Sequence, residues 1–198
     1  GKLRGFRKDP RFDWSQVFFI TASDLPGPNV VAMIEDDMPI LAEKDILYFG
    51  QPLALIAAPH RQLLQYALSA VIPIEEETVP LLDIEEALKG NRLIYGKDNL
   101  MADYSISKGS SEEAFRRSDL VITGRYTTSY HEHVYLETQG MIASPTIRGV
   151  EIMGSMQCPY YIHRAVTTAL PFDPEDIVIR QTTTGGGFGG KEDFPSLM

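Results

Sequence analysis

Five of the six residues from 185 to 190 are glycine, in the run Gly185-Gly186-Gly187-Phe188-Gly189-Gly190-Lys191-Glu192. Glycine admits positive φ and lets a backbone approach another group closely. Consecutive backbone N–H groups can then hold an oxyanion or a metal-oxo group without any side chain. Phe188 would give such a loop one apolar, stackable surface, and Glu192 could hydrogen-bond a polar heterocycle. The bland alternative is a loose surface loop. Two nucleotide-loop readings fail on what surrounds the run. Gly185, Gly187 and Gly190 fit G-x-G-x-x-G, but a dinucleotide site needs a following helix and an acidic residue some 20 positions on, and only eight residues follow Gly190. Gly185 to Lys191 fits G-x-x-x-x-G-K, but Glu192 stands where a P-loop needs Ser or Thr for magnesium.

A second group is His131-Glu132-His133-Val134-Tyr135-Leu136-Glu137. Read as a strand, it places His131, His133, Tyr135 and Glu137 on one face. His-x-His beside a carboxylate can bind zinc, yet this would supply only three neighbouring ligands, and histidines satisfied in a core or interface are commoner. No G-x-S-x-G elbow is present for a serine nucleophile. Cys158, followed by Pro159 and an apolar helix pattern, reads as a packed thiol.

The elements that must carry these groups alternate between strand and helix patterns. Residues 17–20, 30–34, 46–49 and 53–58 read as short strands, with Gly50-Gln51-Pro52 as the turn between the last two. Residues 62–71 have helical spacing, and 71–75 return as a strand that Pro73 pushes toward an edge. Asp83 with Glu86, and Ser110 with Glu113, have capping spacing for two short helices. From Asp119 the composition turns to Val, Ile, Tyr and Thr, and residues 121–130, 134–144 and 150–157 read as strands. Pro159 suits the first turn of a helix ending by Pro171, and 176–183 is a further strand from whose end the glycine run leaves. The fold class is α+β. The texture divides the chain into 1–97, a connector at 98–118, and 119–198.

Composition narrows the partners. A formal net charge of -9 argues against a nucleic-acid backbone. The basic residues Lys2, Arg4, Arg7, Lys8 and Arg11 read as a solvated face or a frayed end. With one cysteine no intrachain disulfide can form, which suits a cytoplasmic setting. No apolar run approaches the roughly 18 residues of a membrane span.

Four stretches, in order, resemble the large molybdenum-binding subunit of the xanthine dehydrogenase and aldehyde oxidase family, the molybdenum hydroxylases. They are Thr21-Ala22-Ser23-Asp24-Leu25-Pro26-Gly27; Leu41-Ala42-Glu43 leading into Tyr48-Phe49-Gly50-Gln51-Pro52-Leu53-Ala54; Glu132-His133-Val134-Tyr135-Leu136-Glu137-Thr138 with Ser155-Met156-Gln157; and the glycine run through Glu192. The resemblance implies an α/β hammerhead domain over 1–97 and the β-rich opening of the first molybdenum-cofactor domain over 119–198, both incomplete. It implies that Gly187, Phe188 and Gly189 face the cofactor and that Glu192 contacts substrate, as in purine-oxidising members. His131 stands where the family often has a Gln beside the oxo ligand. No residue here is implied as a direct metal ligand, and the family's catalytic glutamate falls after Met198.

The activity implied for the complete protein is oxidation of a purine-like heterocycle or an aldehyde with oxygen from water. The cofactor would be molybdopterin carrying molybdenum, as a pterin dinucleotide. FAD and 2Fe–2S clusters would sit on partner domains or subunits. The expected partners are the remainder of the large subunit, those redox modules and a small-molecule substrate, with no nucleic acid and no membrane. This chain alone is expected to be inactive and to bind no molybdenum. A reading of a different class makes it a structural module that packs on a partner subunit.

Overall fold

The computed structural model describes residues 1–32 and 35–192. Its elements, in order, are β1 (Lys2–Lys8), β2 (Phe18–Ile20), β3 (Leu55–Ala57), α1 (Arg61–Ser69), β4 (Val71–Glu76), α2 (Ile84–Leu88), α3 (Ser111–Arg117), β5 (Met141–Pro145), β6 (Val150–Gly154), α4 (Pro159–Ala169) and β7 (Ile177–Gln181). Mixed helix and strand content makes the chain α+β. No helix among the described residues is long and apolar enough to cross a membrane.

By packing, the chain forms two compact units: Gly1–Thr78 with His133–Met198, and Val79–Glu132. This division differs from the textural one at 98–118, because the described residues from His133 onward pack with the N-terminal segment.

In the first unit, β1 pairs antiparallel with β4 and β2 pairs antiparallel with β3. The basic N-terminal stretch is therefore a strand, not a frayed end. Its charges are matched locally, Arg4 by Glu76 and Lys2 by Asp45. Pro73 lacks an N–H but is tolerated because β4 has a partner on one side only. The third sheet has the order β5-β6-β7, antiparallel then parallel. A parallel pair needs a crossover, and α4 supplies it. Pro159 opens α4 at its first turn, where its missing N–H costs nothing. Ile162, Ala165 and Val166 face inward as their spacing requires. Met156, Ile162, Val166 and Ile177 form a core, with Ile152, Leu170, Phe172 and Ile179 packed against it.

Several strand expectations fail. Residues 46–49 form no strand, because Gln51 Oε1 accepts the Leu47 N–H at 2.7 Å and the chain turns there. Residues 30–32 are irregular, since Asn29 clasps both main-chain groups of Leu41; 33–34 lie outside the described residues. Residues 121–130 carry strand-like side chains but find no ladder partner among the described residues, and a lone strand has no stability. Residues 134–140 are also irregular. Val134 sits at φ 50, which breaks the extended alternation, and β5 begins only at Met141.

In the second unit the local signals hold. Asp83 accepts from the Glu86 N–H at 2.9 Å and starts α2; Ser110 accepts from the Glu113 N–H at 3.2 Å and starts α3. Between them Asn99, itself at φ 63, accepts from Ile94 and Tyr95 N–H and donates to the carbonyls of Ala87 and Arg92.

Candidate functional site

The parallel register of β6 and β7 runs from Val150 opposite Ile177 to Gly154 opposite Gln181. Both strands therefore end side by side, and the chains leaving them, Ser155-Met156-Gln157 and the glycine run, emerge together. Carboxyl ends of parallel strands are the usual place for a ligand crevice in α/β sheets. Two side chains tie these exits together: Gln181 Nε2 donates to the Met156 carbonyl at 2.6 Å, and Thr184 Oγ1 donates to the same oxygen at 3.2 Å.

The glycine run is packed, not loose. Gly186 and Gly189 have φ of 96, and Phe188, not a glycine, has φ 52. That conformation is costly for a bulky residue and marks a constrained turn. Phe188 is 76% exposed. Close approach explains the remaining glycines. A Cβ at Gly185 would lie 2.7 Å from Glu137 Cβ, at Gly187 2.3 Å from Gln157 Oε1, and at Gly190 2.6 Å from Tyr135 Cε1. His133, Tyr135 and Glu137 thus do come together against the run, although through an irregular segment rather than a strand. His131 belongs to the second unit, where its Nε2 lies 3.0 Å from Ser129 Oγ.

Beneath the run lies a buried lysine. Lys191 is fully buried, and its Nζ donates to Glu137 Oε2 at 2.7 Å and to Ser155 Oγ at 3.0 Å. It also lies 4.8 Å from the centroid of the Tyr135 ring, within cation–π range. Glu137 Oε2 further accepts from Ser155 Oγ at 2.6 Å and from the Gly185 N–H at 2.7 Å. The Lys191 ammonium, then the Ser155 hydroxyl, then the Gly185 amide hold the Glu137 carboxyl down to about 2 from an ordinary 4.5. A depressed carboxyl contributes stability that is present above its unfolded value and lost as pH falls through its folded one. We expect this contribution to disappear between about pH 4.5 and 2. Acid denaturation of the protein and of Glu137→Gln should therefore differ most above that window and converge below it.

Gln157 completes the anchorage. Its Oε1 accepts the N–H groups of Gly189 at 3.0 Å and Lys191 at 3.2 Å, and its own N–H donates to the Lys191 carbonyl at 2.7 Å. Gln139 Nε2 donates to the Gly190 carbonyl. The N–H groups of Gly186, Gly187 and Phe188 have no acceptor among the described residues, and Gly187 is buried. Left-handed Gly186 and Phe188 flanking Gly187 is the alternation by which successive N–H groups make an anion-binding concavity. Gly189, by contrast, has its N–H already taken. Glu192 is exposed at the end of the run, its N–H donating to the Gly189 carbonyl at 3.3 Å. Among the described residues no three His, Cys, Asp or Glu side chains cluster as a metal site.

Sequence reasoning missed Lys191, Glu137, Ser155 and Gln157 as parts of one device. Lys191 was read only as part of the glycine motif and of a rejected P-loop pattern; a lysine closing a glycine run, with a carboxylate on an apolar segment, was the available signal.

The fold and site define a class: an α+β scaffold that presents a backbone-built, anion-favouring loop at the carboxyl ends of two parallel strands. Residues 94–198 match the molybdopterin cofactor-binding domain, and the chain belongs to that family. It is 30% identical over 172 residues to the nicotinate dehydrogenase large molybdopterin subunit of Eubacterium barkeri, covering 86% of this chain and 40% of that protein. It is 30% identical over 177 residues to the xanthine dehydrogenase of Dictyostelium discoideum, covering 88% of this chain and 12% of that protein. The aldehyde oxidoreductase from Desulfovibrio desulfuricans ATCC 27774 shares the fold, with a TM-score of 0.81 at 22% identity over 96% of this chain and 23% of that one. The chain thus spans less than half the length of each of these relatives.

Proposed function

We propose that the chain is part of a molybdenum hydroxylase that oxidises a purine-like heterocycle of the xanthine type, or an aldehyde, with oxygen from water. On this reading residues 1–97 correspond to the family's α/β hammerhead domain, 98–118 to a connector and 119–198 to the opening of its first cofactor domain. The observation that carries it is the set of N–H groups at Gly186, Gly187 and Phe188 that have no acceptor among the described residues, one of them on a buried residue. Such groups need an acceptor, and an oxygen-rich anionic cofactor provides one. The residues present therefore fit the group.

Gly187 and Phe188 would hold it through their N–H groups, and Gly189, lacking a side chain, would let it approach. His131, in the second unit, is assigned only by the family resemblance, and the geometry of the run does not bear on it. Glu192, exposed at the loop's edge, would orient substrate. When bound, the molybdenum pterin supplies the redox chemistry at the substrate carbon, while the protein orients and binds. FAD and 2Fe–2S modules on partner domains or subunits would carry the electrons away, and the setting would be cytoplasmic.

In the complete enzyme Glu192→Ala should lower turnover roughly 100-fold, the scale of a lost positioning contact, with assembly and molybdenum content unchanged. Metal analysis of this chain alone should find no molybdenum. The structural reading has its own support: Ile84, Ile106, Tyr126 and Tyr130 are exposed in the second unit, as a packing surface would be. It predicts the reverse for Glu192→Ala, altered assembly with turnover per assembled enzyme intact.

A further inference from the structure

The glycine run divides its N–H groups into two sets. Those of Gly186, Gly187 and Phe188 have no acceptor among the described residues; those of Gly189 and Lys191 converge on one atom, Gln157 Oε1, at 3.0 and 3.2 Å. Gln157 also reaches the run a third way, through its own N–H to the Lys191 carbonyl at 2.7 Å. Its carboxamide oxygen fills the space beside Gly187 so closely that a Cβ there would lie 2.3 Å away. One residue thus sets where the loop turns back and which of its N–H groups stay open.

We propose that Gln157 is the positioning residue of the loop. By holding Gly189 and Lys191 it keeps Gly186, Gly187 and Phe188 free for a ligand and aims Glu192, the next residue, outward. The assignment of Glu192 to substrate rests on the reading above; the hold on Gly189 and Lys191 does not. An amide oxygen suits the task because it accepts two N–H groups without bringing a charge next to the open ones. A carboxylate at the same place accepts both as well, whereas an aliphatic side chain accepts neither.

Two readouts test this. Amide hydrogen exchange should show Gly189 and Lys191 exchanging roughly tenfold faster in Gln157→Leu, the scale of one lost net hydrogen bond, with protection restored in Gln157→Glu. Unchanged protection in Gln157→Leu would overturn the hold. The second readout is turnover of the complete enzyme. If Gln157 acts through Glu192, Gln157→Leu combined with Glu192→Ala should be no slower than Glu192→Ala alone, to within about twofold, since residues acting as one unit are not additive. Effects that multiply would overturn the link to Glu192. If Glu192→Ala by itself leaves turnover unchanged, the substrate assignment fails, and the exchange measurement still decides whether Gln157 holds the loop.

Discussion

Replacing Lys191 with alanine should destabilise the protein by about 2–3 kcal/mol from its stem alone, three buried methylenes at roughly 0.8 kcal/mol each. The side chain is fully buried, so no water compensates for the lost contacts. The charge adds a separate effect. Without the ammonium, Glu137 keeps Ser155 and the Gly185 N–H but loses the largest cause of its lowered pKa. Because the Glu137 side chain is 41% exposed, solvent softens that loss and the stem should dominate. Lys191→Met separates the two parts, since it keeps most of the volume and removes the charge. It should cost less than Lys191→Ala in chemical denaturation. It should also flatten the dependence of stability on pH between about 4.5 and 2, because Glu137 would then titrate nearer its ordinary value. A loss for Lys191→Ala within about 0.5 kcal/mol of zero, the range of neutral surface substitutions, would show that the lysine is not an anchor.

Gly190→Ala should lower activity strongly. The new Cβ would lie 2.6 Å from Tyr135 Cε1 and 2.9 Å from His133 Nδ1, both ring atoms on a segment tied to the run from below. Both contacts are ring atoms rather than the far ends of long flexible chains, so the strain falls largely on the loop. Overpacking of this kind costs about 1–3 kcal/mol. A displacement of about 1 Å at residues that position a reacting group costs roughly 100-fold in rate. Turnover of the complete enzyme should therefore fall far more than stability does. Gly140→Ala is the control, since a Cβ there meets nothing within 4 Å and its φ is not positive. Equal turnover for the two variants would remove Gly190, and with it the packed geometry of the run, from the functional argument.

Both variants bear on a loop first visible as composition. Local chemistry made much of the chain legible in one dimension. The Asp83 and Ser110 caps each bond to an N–H three residues on. Pro159 at the start of α4 and the inward Ile162, Ala165 and Val166 follow from position within a single helix. Such signals are complete within a turn or two, so they survive whatever the rest of the fold does. The motifs around Glu132–Thr138 and the glycine run were likewise legible, and they carried the family.

Pairing was not legible in this way. A stretch such as 121–130 has the side chains of a strand, but a strand exists only where another chain segment offers its N–H and C=O groups. The basic residues of β1 do form a solvated face, but that they lie on a strand depends on β4, which the local pattern does not reveal. The same reason hid the device under the loop. Glu137 and Lys191 are 54 positions apart, and Gln157 lies 32 from Gly189. Their meeting depends on the parallel register of β6 and β7, which brings both strand ends to one place. By itself the sequence determined that a glycine loop with Phe188 and Glu192 exists and which family it belongs with. Only the tertiary structure decided which of its N–H groups remain open among the described residues, because that depends on a buried lysine, a carboxylate and a carboxamide arriving from distant segments.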